Sequence, residues 1–174
     1  MFICAGESET FKFAKPMGIG LIDMAINLTR YCQESKPKFI MFVGSSGSYG
    51  KHNIFDIVHS KASTNIENSF FNANAYTPID NLVSSSEDVS RETIVNSSNY
   101  ITTDSSLSEK YLQKGIGLEN MEFFSVIKVA QTFDIPVAGV FIVTNYCNEN
   151  AHKDFMTNHK EAIDRLTEYM SKER

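Results

Sequence analysis

Residues 36–48 read KPKFIMFVGSSGS, and this stretch decides the fold class. The run from Phe39 to Val43 is short and apolar and follows Pro37, which is typical of a strand buried on both faces. The small residues from Gly44 to Ser48 predict a loop directly after that strand, with a flexible turn as the alternative. Because small residues let backbone N–H groups approach a ligand closely, the loop places a candidate binding site at the carboxyl end of the strand.

The rest of the chain alternates between strand-like and helix-like patterns. Further short apolar runs predict strands at residues 2–5, 54–58 and 137–143. Helices are predicted after Gly18-Ile19-Gly20, from a capping box at Ser106 and Glu109 to Gly115, and at residues 121–133 and 151–170. This alternation predicts an α/β fold of three layers, with a mostly parallel, mixed sheet flanked by helices, in a single domain over residues 1–174.

Length and charge exclude several classes of protein. The 174 residues, 42% of them hydrophobic, suffice for one core and are too few for two ordinary domains. Acidic residues outnumber basic ones by 21 to 16, for a net charge of -5, and no basic cluster is present, so we expect no polymeric nucleic acid as partner. The sequence shows neither a signal peptide nor an apolar run of membrane-spanning length, which predicts a cytoplasmic protein without a membrane partner. The three cysteines form no CxxC pair, in keeping with a reducing compartment.

Residues 60–99 keep no clear hydrophobic period and are rich in Ser, Asn and Thr. The stretch is too long for an ordinary connection between two elements. It predicts either a lid over an active site or an irregular edge of the sheet, and we favour the lid.

Four motifs, in a fixed order along the chain, carry a family resemblance. They are Gly18-Ile19-Gly20, the stretch 36–48 with the strand-like run 54–58, Asn120-Met121-Glu122 ahead of residues 133–137, and Val143-Thr144-Asn145. A nicotinamide fingerprint explains the first motif less well, because Asp23 stands where its third glycine belongs. The ordered set resembles the nucleoside phosphorylase and nucleosidase superfamily, which includes purine nucleoside phosphorylases and methylthioadenosine/S-adenosylhomocysteine nucleosidases. The resemblance implies an enzyme that cleaves the N-glycosidic bond of a purine nucleoside and releases the base. The eleven residues between Gly6 and Gly18 imply a shortened member.

The resemblance also implies that Met121, Glu122 and His159 bind the ribose. A carboxylate at Glu122 can accept two hydrogen bonds from vicinal hydroxyls and steady a sugar that becomes cationic in the transition state. Met121 would lie against the sugar face, and His159 would contact the 5′-hydroxyl with Phe155 beside it. The alternatives are a solvated helix N-terminus for Glu122, a surface position for His159 and core positions for Met121 and Phe155.

The base and the nucleophile are implied to lie at two further places. Nucleosidases of the family have an Asp where this chain has Asn145, and an Asn cannot protonate the leaving base. An amide instead suits a 6-oxopurine, because it offers an N–H to O6 and a carbonyl to a protonated N7. The nucleophile side would be lined by Gly44, Ser45, Ser46 and Gly47.

Phosphate and water both stay open as the nucleophile. Phe42 stands where phosphorolytic members carry an Arg that binds phosphate, and among the arginines only Arg91 is free enough to replace it. If water is the nucleophile, a glutamate after Gly6 would activate it, and Glu9 is favoured over Glu7. The sequence therefore predicts cleavage by phosphorolysis or by hydrolysis.

The remaining predictions concern the edge of the pocket, cofactors and partners. Asp104 resembles a family position near the site, and Tyr76 or Tyr100 could replace the base-stacking aromatic that the family has after it. The four histidines show no metal-binding spacing, so we predict no metal and no cofactor, with phosphate as the candidate co-substrate. The expected partner is a small-molecule purine nucleoside, and the expected assembly is a homo-oligomer. The alternatives to an enzyme are a catalytically silent nucleoside-binding homologue and a scaffold without nucleoside affinity.

Overall fold

A computed structural model of the protein describes residues 1–85 and 92–173. Within them, nine strands and four α-helices follow one another along the chain. The strands are β1 (Phe2–Cys4), β2 (Lys15–Pro16), β3 (Ile40–Ser48), β4 (Ile57–Ser60), β5 (Ala62–Thr64), β6 (Leu82–Ser84), β7 (Ile94–Ser97), β8 (Ile116–Asn120) and β9 (Val137–Tyr146). The helices are α1 (Gly20–Ser35), α2 (Ser105–Gln113), α3 (Phe123–Thr132) and α4 (Ala151–Lys172), and a 3-10 turn covers Asn68–Asn72.

Strand β3 lies at the centre of a mixed sheet. One of its edges pairs in parallel with β9, while the other pairs with β1 in parallel near the start and with β8 in antiparallel near the end. From β8 the sheet continues through β7 and β5 to β6, and β4 pairs with β9. Strand β2 pairs with β1 in parallel, so five of the eight strand pairings in the described residues are parallel, which confirms the predicted mostly parallel, mixed sheet.

Side chains of β3 and β9 alternate between two cores. Phe42, Phe141 and Val143 belong to a core formed with α1 and α3, whereas Val43 and Ile142 belong to a second core formed with α4. Helices therefore cover both faces of the sheet, as the predicted three layers require. Burial on both faces also explains why these strands appear in the sequence as continuous apolar runs.

Helix α1 begins and ends at residues whose backbone conformation suits a helix boundary. Ile19 is extended, and Gly20 begins the helix with a φ of 80° that favours glycine. At the other end, Lys36 is left-handed and donates its N–H to the Cys32 carbonyl. Pro37 follows and cannot continue the helix, so the chain turns into β3.

The loop predicted for Gly44 to Ser48 is wrong, because these residues continue strand β3 to Ser48. They are buried between the neighbouring strands β8 and β9, which supply the hydrogen-bond partners that a loop would lack. The small residues serve close packing inside the sheet: a Cβ on Gly47 would lie 2.7 Å from Sγ of Cys147. The strand predicted at 54–58 is likewise shifted, to Ile57–Ser60.

Two predictions about the middle of the chain are corrected by the structure. The helix α2 is capped by Asp104, whose carboxylate accepts the Ser106 N–H at 2.8 Å, so the predicted capping box at Ser106 and Glu109 is wrong. Residues 60–99, apart from 86–91, which lie outside the described residues, contain β5, β6 and β7. The described part of this stretch therefore forms an edge of the sheet built from very short strands. This matches the irregular edge rather than the lid that was favoured from the sequence.

Across the two described ranges, none of the helices combines the length and the apolar character needed to cross a bilayer.

Candidate functional site

A cavity of about 310 Å³ opens where the last residues of β3, β8 and β9 meet. Its remaining walls come from the segment after β1, from the start of α4 and from Ile19 and Ile101. Eight of the eleven site residues predicted from the sequence line it: Glu9, Ser45, Ser46, Gly47, Met121, Glu122, Asn145 and Phe155. The structure thus brings together residues that are up to 146 positions apart in the sequence, from Glu9 to Phe155.

Glu122 is a buried carboxylate at the N-terminus of α3, with only 3% of its surface exposed. Its Oε1 accepts the Gly20 N–H at 2.8 Å, and its Oε2 accepts an Asn120 side-chain N–H at 2.9 Å. Burial, together with the nearby charge of Glu9, raises the pKa of Glu122 to about 7. A carboxylate has about four lone-pair sites, so those left over can accept hydrogen bonds from a ligand.

Glu9 reaches the same cavity from the turn that follows β1. Gly6 and Glu9 exchange two backbone hydrogen bonds across this turn, which fixes the path of the chain. The Glu9 carboxylate accepts the Ser45 N–H at 3.1 Å and also the Ser45 hydroxyl. Glu7 lies on the exposed side of the turn and does not line the cavity, so the geometry favours Glu9 over Glu7 as a candidate base.

Gly44 lies next to the Glu9 carboxylate but is not part of the cavity wall. A Cβ at this position would lie 3.1 Å from Oε2 of Glu9 and 3.0 Å from the Phe42 ring. The missing side chain therefore leaves room for the carboxylate to approach β3.

Asn145 and Thr144 form the wall contributed by the end of β9. The Thr144 hydroxyl donates to Oδ1 of Asn145 at 2.9 Å, and Nδ2 of Asn145 donates to the Tyr146 carbonyl at 3.1 Å. Asn145 is in register with Gly47 on β3, where a Cβ would lie 3.1 Å from Nδ2 of Asn145. Because one N–H of the amide remains unassigned, Asn145 can still donate a hydrogen bond to a ligand.

The ionisable side chains that line the cavity are three acids and one histidine, His152. The three carboxylates are those of Glu9, Glu119 and Glu122, and no Lys or Arg of the described residues lines the cavity. Phe42, at the family's arginine position, is fully buried between Phe123 and Phe141. Arg91 lies outside the described residues.

Ten described residues of the wall were not among the predicted site residues, and they include Ile101, Glu119, Asn120 and His152. Glu119 is buried, which raises its pKa, and it accepts hydrogen bonds from Thr102 and from the Tyr49 hydroxyl. These contacts tie the segment that carries Ile101 to β8. The available signal was the motif Asn120-Met121-Glu122, which contains Asn120 and directly follows Glu119.

Three predicted residues lie outside the cavity wall: Gly44, Asp104 and His159. Asp104 is exposed, because its carboxylate caps α2 rather than reaching a pocket. His159 lies behind the wall, where its Nε2 donates to the Ser8 carbonyl at 2.8 Å and its ring is 4.6 Å from that of Phe155. Tyr76 and Tyr100 are almost fully exposed and also lie outside the wall.

No group of three or more His, Cys, Asp or Glu side chains in the described part of the chain has the arrangement of a metal site.

Solved structures of similar fold come from several bacteria. The methylthioadenosine/S-adenosylhomocysteine nucleosidase of Helicobacter pylori, bound to butyl-thio-DADMe-Immucillin-A, is 15% identical with a TM-score of 0.77, over 91% of this chain and 77% of that one. The futalosine hydrolase of Helicobacter pylori is 16% identical with a TM-score of 0.77, over 91% and 76%. The methylthioadenosine/S-adenosylhomocysteine nucleosidase of Streptococcus pneumoniae, with a transition-state inhibitor, is 13% identical with a TM-score of 0.76, over 97% and 95%. At such low identities the likeness is one of fold.

No curated protein sequence matches the chain. The model of one protein family does match, over residues 3–172, which is nearly the whole chain. The sequence motifs, the mixed sheet and this match agree, and the chain belongs to the phosphorylase superfamily.

Proposed function

We propose that the protein hydrolyses the N-glycosidic bond of a purine nucleoside and releases the free base. The observation that carries this proposal is the pair of carboxylates, Glu9 and Glu122, that face one cavity at the end of β3. Two carboxylates in one pocket suit a reaction whose sugar becomes cationic in the transition state.

Each carboxylate has a separate part in the proposed reaction. Glu122 accepts hydrogen bonds from the vicinal ribose hydroxyls, and its negative charge stabilises the cationic sugar. Glu9, together with the Ser45 hydroxyl, holds a water molecule beside C1′ and accepts a proton from it. The water oxygen forms a bond to C1′, the bond from C1′ to the purine nitrogen breaks, and its electron pair leaves with the base, which then takes up a proton from the solvent.

The charge of the cavity supports water as the nucleophile. Phosphate would enter a pocket lined by Glu9, Glu119 and Glu122 without a Lys or Arg of the described residues to offset its charge. Phe42, which is buried among other aromatic side chains, offers no contact to an anion. Because water is uncharged, its entry into the pocket carries no such electrostatic cost, and hydrolysis needs no cofactor.

We propose that Asn145 binds the base. Its free N–H suits the O6 atom of a 6-oxopurine, and it cannot supply a proton to the leaving group. The structural relatives are named for adenosine derivatives and for futalosine. The base preference proposed for this chain therefore separates it from relatives that act on adenosine derivatives.

The decisive experiment measures release of free base from inosine, guanosine, adenosine and methylthioadenosine, each with and without phosphate. The proposal expects release from inosine or guanosine at the same rate in both conditions. Release only in the presence of phosphate would establish phosphorolysis and overturn the hydrolytic proposal. Nucleoside binding without any release would establish a catalytically silent nucleoside-binding protein, an alternative that the lack of an acid at Asn145 favours.

We further propose a homo-oligomer. Two residues of the cavity wall, Ile19 and Ile101, are partly exposed, and Ile22, Ile26 and Tyr100 are exposed nearby in sequence. Isolated exposed apolar residues are ordinary, but a cluster at the rim of a site is typical of an interface. Light scattering after size-exclusion chromatography tests this, and a monomer at micromolar concentration would contradict it.

The three buried, unpaired cysteines support a reducing, cytoplasmic location.

A further inference from the structure

Asn120, the last residue of β8, uses both ends of its side-chain amide. Its Oδ1 accepts the N–H groups of Glu122 and Phe123, at 2.7 and 2.9 Å, where α3 begins. Its Nδ2 donates to Oε2 of Glu122 at 2.9 Å and to the Ser45 carbonyl at 3.4 Å. One side chain therefore caps a helix and holds the carboxylate at the start of that helix.

These two tasks have different chemical requirements. Capping needs only an oxygen that accepts from the first N–H groups of α3, and Asn, Asp and Ser all supply one. Holding an ionised carboxylate needs a donor, which Asn supplies and an ionised Asp cannot. Capping alone therefore does not explain an amide at this position.

We propose that Asn120 is a positioning residue, which holds Oε2 of Glu122, favours the ionised form of this carboxylate and lets it present its remaining lone pairs to the ribose hydroxyls. This inference rests on the proposed function for its ribose, although the effect on Glu122 itself does not. It makes Asn120 a determinant of the pH at which the site binds a nucleoside.

The surroundings of Glu122 explain why such a donor matters. The ionisable groups that share its cavity are Glu9 on the segment after β1, Glu119 on β8 and His152 on α4. On α1 and α3, Asp23 and Lys128 are exposed and lie outside the cavity wall. Burial and the charge of Glu9 oppose ionisation, whereas Asn120 and the N–H groups of Gly20 and Met121 donate to the carboxylate and favour it.

The variant Asn120→Asp separates the two tasks. It keeps the shape and the cap and replaces the donor by a second carboxylate oxygen beside Oε2 of Glu122. We expect the pH at which nucleoside affinity is half-maximal to rise by about one unit or more, which weakens binding near pH 7 by about fivefold or more. A pH profile that coincides with that of the wild type would overturn the inference.

Asn99→Asp is the matched control. Asn99 accepts the Leu21 N–H at 3.0 Å next to Gly20, so this change also adds a charge near the start of α1 and keeps its hydrogen bond. It does not contact Glu122, and we expect a smaller shift than for Asn120→Asp. An equal shift in both variants would show a general effect of added charge and would overturn the specific role of Asn120.

A second readout needs no nucleoside at all. Carbon-13 NMR of protein labelled at the glutamate carboxyl carbons follows the titration of Glu122, whose signal is assigned as the one missing in Glu122→Gln. We expect the Glu122 titration to move to higher pH in Asn120→Asp, and an unmoved titration would refute the inference even if the enzyme is active.

A wild type that neither binds nor cleaves nucleosides would refute the proposed function, and this titration would still decide the effect of Asn120 on Glu122. If Asn120→Asp does not fold, Asn120→Ser keeps a capping oxygen, loses the amide N–H that reaches Oε2 and is expected to shift the titration in the same direction by less.

Discussion

Glu9 and Glu122 face one cavity, and the charge of Glu9 is, after burial, the second cause of the raised pKa of Glu122, about 7. At neutral pH the free protein therefore holds a substantial share of Glu122 in its protonated form. A ligand that develops positive charge between the two carboxylates would relieve their repulsion. The site is thus better matched to a cationic sugar than to a neutral one.

The first prediction concerns the pH dependence of binding. In the proposed function the ionised form of Glu122 accepts hydrogen bonds from the ribose hydroxyls, so nucleoside affinity should increase as the pH rises through about 7. Glu9→Gln removes the like charge and should move this midpoint to lower pH. Calorimetric titration with a non-hydrolysable nucleoside analogue, from about pH 5.5 to about pH 8.5, measures both midpoints. An affinity that does not change over this range would contradict the assignment of Glu122.

The second prediction separates binding from chemistry. Because Glu9 is the proposed base, Glu9→Gln should lower kcat by about 10²- to 10⁴-fold while nucleoside binding is retained. Single-turnover measurements of base release test this. Glu7→Gln is the matched control: it makes the same change two residues earlier, on the exposed side of the turn, and should behave as the wild type does. Equal losses in the two variants would show that the turn matters only for structure.

The third prediction contrasts two glycines of β3. Gly44→Ala places a Cβ about 3.1 Å from Oε2 of Glu9 and should mainly lower kcat, because the proposed base is displaced. Gly47→Ala places a Cβ 2.7 Å from Sγ of Cys147 and 3.1 Å from Nδ2 of Asn145, and it should mainly raise KM. Each change is expected to cost about 1–3 kcal/mol in stability as well, which thermal unfolding measures. If both variants had the same kinetic effect, the result would contradict the proposal that the nucleophile and the purine base bind on separate sides of the cavity.

The fourth prediction concerns stability. Folding raises the pKa of Glu122 from its ordinary value of 4.5 to about 7, so the ionised form is the one that folding disfavours. The contribution of this group to stability is then fully present below pH 4.5 and is lost as the pH rises through about 7. Glu122→Gln, which cannot ionise, should therefore gain in Tm relative to the wild type, by several degrees, between about pH 5 and about pH 8. A difference in Tm that is constant across this range would show that Glu122 does not change its ionisation on folding.

Much of the fold follows from the sequence because β3 and β9 are long, apolar and buried on both faces. The short strands do not follow from it. Strand β8 has five residues, with Gly117 near its middle and Glu119 and Asn120 at its end, so neither length nor hydrophobicity marks it. Its hydrogen bonds to β3 and β7 form it, and those partners are remote in the sequence.

The residues of the candidate site likewise divide into those that the sequence indicated and those that it did not. Glu122, Asn145 and the glycine-serine residues of β3 were found because their motifs resemble a family. Glu119 belongs to the unpredicted strand β8, and His152 is one polar residue among many on α4, so nothing in the local pattern distinguished them. Asn120 stood in the Met-Glu motif, but no role was predicted for it. Of the three predicted residues outside the cavity wall, Asp104 has the ordinary role of a helix cap, which the sequence Asp104-Ser105-Ser106 also allows.

The N–H of Gly20 that holds Oε1 of Glu122 is part of the main chain. It does not titrate, and among the twenty amino acids only proline lacks it. Gly20 is itself hard to replace, since its φ is 80° and a Cβ would lie 2.9 Å from Oδ1 of Asn99. Part of what holds this carboxylate therefore comes from the main chain, and a substitution of a neighbouring side chain leaves that part in place.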